Sequence, residues 1–142
     1  MKLPQSIGWI VTGLMAALIL LSAIPDLLRI PDAVSVITHL GYPPYLLPFL
    51  GTAKTLAVVA VLLPGLPRIK EWAFAGLMFD LTGALYSHLS VGDPPSRWLP
   101  AAVGLVLVSG SYVAYRMRRT RVLLSSQKSQ DASASGDLIR AV

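Results

Sequence analysis

Four apolar runs, each close to the length needed to cross a bilayer, constrain this chain more than any other feature. A helix rises 1.5 Å per residue, so a hydrocarbon core about 30 Å thick needs about 20 apolar residues. The runs are Ile7 to Ile24, Pro44 to Leu63, Trp72 to Leu89 and Leu99 to Tyr115. Helix-stopping residues fall between them: Pro25-Asp26, Pro64-Gly65-Leu66-Pro67 and Gly92-Asp93-Pro94-Pro95. Lipid offers backbone groups no partner, so each run must satisfy its own hydrogen bonds as a helix. The expectation is an all-α fold, a four-helix transmembrane bundle with spans 7–24, 44–63, 72–89 and 99–115 within a domain of residues 1–121.

Composition agrees. The chain is 54% hydrophobic and 13% charged, against about 25% charged in a soluble domain. It has no cysteine, which excludes disulfide exchange, thiolate metal sites and iron–sulfur clusters as its activity. No glycine-rich phosphate loop, nucleophile elbow or zinc-protease motif is present. The net charge of +5 is concentrated in Arg116, Arg118, Arg119 and Arg121, directly after the last run. A basic patch beside a span is a topology signal, so no nucleic-acid partner is expected and the bilayer is the first partner.

Orientation follows from the short loops. With both termini cytoplasmic, the inner side carries Lys2, Arg68, Lys70 and the four clustered arginines, and the outer side only Arg29 and Arg97. Trp98, Tyr42 and Tyr45 then fall at the outer interface, and Trp9, Trp72 and Tyr115 at the inner one. The first run is longer than a signal-peptide core and has Leu21 two before Ala23, where a cleavage site wants a small residue. It is expected to be a retained helix. Between Pro25 and Pro43, Asp32 to Leu40 predicts a short surface helix with Ala33, Val34, Ile37 and Leu40 as its apolar side and Gly41 as its stop. From residue 122 the chain turns serine-rich and aperiodic, which predicts a disordered cytoplasmic tail over 122–142.

Two charges interrupt the apolar runs. Lys54 lies nine residues before Leu63, and Asp80 nine residues after Glu71. Both positions are about 13–14 Å from the same boundary, near the midplane. The runs that carry them are sequential, hence antiparallel neighbours. A charge at that depth costs at least about 2.5–3.5 kcal/mol, so the two are expected to pair as an intramembrane polar centre. The pair could fix the register of two helices, or it could bind a ligand or handle protons. Gly76, Gly83, Ala84 and Ser87 share the face of Asp80, and the small residues there, with Gly13 and Ala17 on the first run, predict close helix approach. His88 falls toward the outer edge of the bundle. Three readings are open for it: a backbone-bonded interfacial histidine, a titrating ligand contact, or a haem or metal ligand together with His39. Ser87, His88 and Tyr45 are the candidate ligand-binding residues; no metal-ligand spacing accompanies the histidines.

The stretch Leu40 to Asp93 resembles the DoxX-like membrane proteins. The pieces are Leu40-Gly41-Tyr42-Pro43, Leu50-Gly51 with Lys54, Leu63-Pro64-Gly65 with Pro67-Arg68, and Lys70-Glu71-Trp72-Ala73 with Ala75-Gly76. Phe79-Asp80 with Gly83-Ala84, then Ser87-His88 and Gly92-Asp93, complete them. The resemblance implies a four-helix bundle of the bacterial plasma (inner) membrane, with Lys54, Asp80 and Ser87-His88 at its polar motif positions. By analogy it suggests an accessory subunit linked to a redox enzyme or to a quinone, no other cofactor being implied. A lipophilic-ligand or proton-handling site, and a small membrane oxidoreductase, are the other readings.

Overall fold

The computed structural model describes residues 5–140; Lys2, counted above on the inner side, and residues 141–142 of the tail lie outside them. Five helices are found among the described residues: α1 (Gln5–Leu28), α2 (Pro31–His39), α3 (Leu46–Leu62), α4 (Pro67–Ser90) and α5 (Pro95–Arg140). The four longer ones contact one another round a ring, α1 on α3 and α5, and α4 on α3 and α5. The short α2 packs on α1 and α3. It occupies the place of the expected surface helix, with Ile37 buried on its apolar side. Met15 and Ile19 of α1, Val58 of α3, Leu77 of α4 and Val108 of α5 meet in the core with almost no exposed surface.

The first helix does not stop at Pro25, as its sequence predicts; it runs on to Leu28. A proline costs a helix one hydrogen bond to the preceding turn, and here only one further turn has to tolerate the loss. The end is made instead at Arg29, which adopts the left-handed region at φ 49°. Its N–H donates to the Asp26 carbonyl and that of Ile30 to the Pro25 carbonyl, the paired bonds of a Schellman cap. Glycine normally fills that position because a Cβ is crowded there. An arginine gives no such signal. The extra turn carries Asp26.

Helix approach is closest where a glycine faces a neighbouring backbone. A Cβ on Gly51 of α3 would lie 2.9 Å from the Ala23 carbonyl oxygen and 2.9 Å from the Leu27 nitrogen of α1. Gly104 of α5 and Gly8 of α1 face side chains instead, those of Leu81 and Leu18 at 3.0 and 3.4 Å and the Ala114 methyl at 3.3 Å. Gly13, Gly76 and Gly83, expected to serve this purpose, have nothing within 4 Å of the point where a Cβ would lie, and Ala17 is exposed. Shared-face spacing identifies small residues but not which side of the helix meets a partner.

Two helices are long and apolar enough to cross a membrane, in the stretches Ser6–Leu28 and Pro95–Asp131; Leu46–Leu62 is a shorter apolar helix. The third expected span, 72–89 within α4, carries Asp80, Ser87 and His88, which lower its apolar character. The tail also differs from expectation. Instead of becoming disordered at residue 122, α5 continues to Arg140, and residues 122–131 are exposed throughout. No proline follows Pro100 within this helix, and serine hydroxyls bond back to it, Ser126 to the Val122 carbonyl and Ser129 to that of Ser125. Polar, aperiodic composition signals the absence of a packed face, which holds here, but does not forbid a helix.

Candidate functional site: an apolar cavity with an ionic floor

Gly51 lets α3 approach the last turn of α1, and Lys54 lies one turn further along α3. Its Nζ donates to Asp26 Oδ2 at 2.9 Å and lies 3.7 Å from Asp80 Oδ2. The three side chains are mostly buried, at 14%, 15% and 19% exposure for Lys54, Asp26 and Asp80. The nearest partner of Lys54 is therefore not the residue its depth predicts. Asp26 belongs to an outer loop if the helix ends at Pro25, and the extra turn brings it into the bundle instead. One ammonium bridges two carboxylates on separate helices, so α1, α3 and α4 are tied at one point.

A second polar group forms at the α2 end of the molecule, and two glycines build it. Gly92 ends α4 at φ 74°, with the Asp93 N–H bonded to the His88 carbonyl. This turn folds the Asp93 side chain back onto the His88 ring, where Oδ2 accepts from Nδ1 at 2.6 Å. Oδ1 accepts from His39 Nε2 at 2.8 Å and from Arg97 at 3.2 Å. With three donors and 5% exposure, Asp93 is held as a carboxylate. The His88 hydrogen bond, joined by that of His39, sets its pKa below the ordinary aspartate value, against the opposing effect of burial. In the same way Gly41 ends α2 at φ 85°, with the Tyr42 N–H bonded to the Ile37 carbonyl. Tyr42 is thereby aimed at Ser87, 3.0 Å away. The Ser87 hydroxyl donates to the Gly83 carbonyl at 2.7 Å, so Tyr42 is the donor of that pair.

Between these two groups lies a half-open cavity of about 560 Å³. Asp26, Lys54 and Asp80 form its floor, Tyr42, Ser87 and His88 its far end, and Ile37, Leu47 and Phe79 belong to its walls. A second groove of about 350 Å³ opens on the other side of Lys54 and Asp80, toward the α3–α4 turn, past Gly76 and Trp72. The open glycines thus border empty space. Gly83 lines the first cavity and Gly76 the second.

Of the residues singled out from sequence, Lys54, Asp80, Ser87 and His88 line one cavity. Tyr45 does not: it is 71% exposed, and Tyr42 takes the place expected of it. His88 is not bonded to a backbone group but to the Asp93 carboxylate, and His39 is bonded to the same carboxylate. Among the described residues, no group of three His, Cys, Asp or Glu is arranged to hold a metal ion. Ser87, His88 and Asp93 are the residue types of a hydrolytic triad. Yet the serine proton goes to Gly83 rather than to an imidazole, so the arrangement lacks the nucleophile–base bond such chemistry needs. Asp26, Tyr42 and Asp93 are site residues that sequence reasoning misses. The available signals are Gly41 and Gly92, each one residue before the side chain it aims.

Asp93 and Tyr42 also show what the arrangement can do. They tether α2, which covers the cavity, to α4 through two side-chain contacts. Carbon walls and a charged floor suit a molecule with an apolar body and a polar head.

Comparison with known proteins agrees with the resemblance seen in the sequence. The family model described as the DoxX-like family matches residues 10–111, which takes in every residue of both polar groups, and the chain belongs to that family. No curated protein and no solved structure matches it.

Proposed function

We propose that this member of the DoxX-like family is a multi-pass membrane protein that binds a small lipophilic molecule by its polar head. The reading includes a four-helix transmembrane bundle with both termini on the cytoplasmic side of a bacterial plasma membrane. The excess of Lys and Arg in the first turn of α4 (Arg68 and Lys70) and after residue 115 supports that orientation. One observation carries the binding function: the cavity of about 560 Å³ floored by Asp26, Lys54 and Asp80. Intramembrane charges are costly and mark functional sites by default. A pair needed only to fix helix register requires no cavity beside it.

The role proposed is binding rather than catalysis, as a subunit or accessory to another membrane enzyme. Family analogy suggests a quinone, which would link the chain to a redox partner. Its ring oxygens accept hydrogen bonds, so it would need a donor that Lys54 does not already commit to Asp26. The test is purification of the full chain in mild detergent with mass spectrometry of co-purifying lipids, quinones and proteins. A retained small molecule, lost in Asp80→Asn without loss of expression, is the expected result. A protein recovered empty and alone from every preparation would overturn the proposal.

A further inference from the structure

Resting on that binding reading, we infer that the cavity selects a lipophilic cation over neutral or anionic molecules of the same shape. The charges that face it come from four helices: Asp26 from α1, Asp32 from α2, Lys54 from α3, and Asp80 with His88 from α4. Among the described residues, α5 contributes no charge to its lining. Three carboxylates thus face one ammonium. Lys54 is already engaged by Asp26, to which it donates at 2.9 Å, and by Asp80, whose carboxylate lies 3.7 Å away. It leaves little for an anionic head, while the two surplus carboxylates favour a cation.

The walls point the same way. Phe79 and Tyr42 are among the residues that line the cavity, and aromatic rings attract cations but not anions. Asp32 lies at the first turn of α2, the helix that covers the cavity, and would meet a cation as it enters. In an apolar surrounding such attractions are screened far less than in water. The size of the cavity is that of sites for compact organic molecules rather than bare ions. The ligand class is therefore an organic cation, such as an amine or onium group on an aromatic or aliphatic body.

The experiment compares tetraphenylphosphonium with tetraphenylborate, a pair alike in shape and opposite in charge, and a short-chain quinone, all titrated into the full chain in detergent. Tetraphenylphosphonium is expected to bind at least about tenfold more tightly than tetraphenylborate, equivalent to about 1.4 kcal/mol. Asp80→Asn should abolish that preference. Asp32→Asn, at an exposed position, should weaken the cation about threefold without weakening the borate. Equal or tighter binding of the borate or the quinone would overturn the cation class while leaving a binding site in place. Failure of all three probes, with no molecule co-purifying, would overturn the binding reading itself.

Discussion

Lys54 of α3 donates to Asp26 of α1 at 2.9 Å, across 28 residues of sequence, and lies 0.8 Å farther from Asp80, at 3.7 Å. The contact exists because Gly51, one turn earlier, allows α3 to rest on the backbone of Ala23 and Leu27. Lipid gives helices no hydrophobic reason to associate, so close packing and polar contacts must hold them. Both are supplied here within a single turn.

Gly51→Ala places a methyl group 2.8 Å from the Leu27 side chain and 2.9 Å from backbone atoms that cannot move independently. A loss of about 1–3 kcal/mol is expected from this overpacking. Gly76→Ala, with open space around it, should be neutral or slightly stabilising, since alanine favours helix by about 1 kcal/mol over glycine. Thermal unfolding in detergent measures both. The opposite order would contradict the described spacing of α1 and α3.

Lys54→Met leaves two carboxylates without their shared cation and should cost about 3–5 kcal/mol, the usual penalty for removing one partner of a buried pair. Double-mutant cycles apportion it. Coupling of Lys54 to Asp26, measured with Asp26→Asn, should exceed coupling to Asp80, measured with Asp80→Asn. Equal or reversed couplings would show that the distances do not rank the two contacts.

Asp93 makes the anchoring of α2 sensitive to acid. Its folded pKa lies below the ordinary value, which is about 3.9 for an unfolded aspartate. Its contribution is therefore complete above about pH 4 and lost as the pH falls below that toward the depressed folded value. Hydrogen exchange of the α2 backbone should accelerate over this acidic range. In Asp93→Asn it should be fast already at neutral pH, with little further change on acidification. An α2 equally protected in the variant would show that His39 and His88 need no carboxylate between them.

The proposed orientation can be tested because the chain has no cysteine of its own. With Ser96→Cys and Ser126→Cys made separately, a membrane-impermeant thiol reagent added to intact cells should label the first and spare the second. Labelling of Ser126→Cys from outside would reverse the orientation.

The helix beyond Arg121 presents exposed side chains through residue 131. Truncation after Arg121 should shift stability by no more than about 0.5 kcal/mol, as for surface changes generally. Amide exchange in 122–131 should be far faster than in α1. A large destabilisation would reveal a partner surface for this segment.

How much can be read from sequence differs by residue. Lys54 and Asp80 stand out because a charge in an apolar run is conspicuous and helix rise converts position to depth. Ser87 and His88 follow from helix spacing and the family resemblance. Asp26 is hidden by Pro25, a real helix-breaking signal that the fold overrides for one turn, and by Arg29, which caps the helix in a conformation that favours glycine. Tyr45 and Tyr42 both suit an interface, and only the turn at Gly41 separates them. The composition of the tail speaks to packing more than to local conformation.

Hydropathy and helix rise act locally along the chain. They are enough to specify an all-helical, lipid-compatible protein, its main helix breaks and the two charges near the middle of its apolar runs. Which carboxylate Lys54 reaches first, which glycines bring helices together, and whether the space between the polar groups stays open are settled by the packed bundle. Those outcomes depend on how separate helices are rotated and pressed against one another, and nothing within a single helix fixes its rotation.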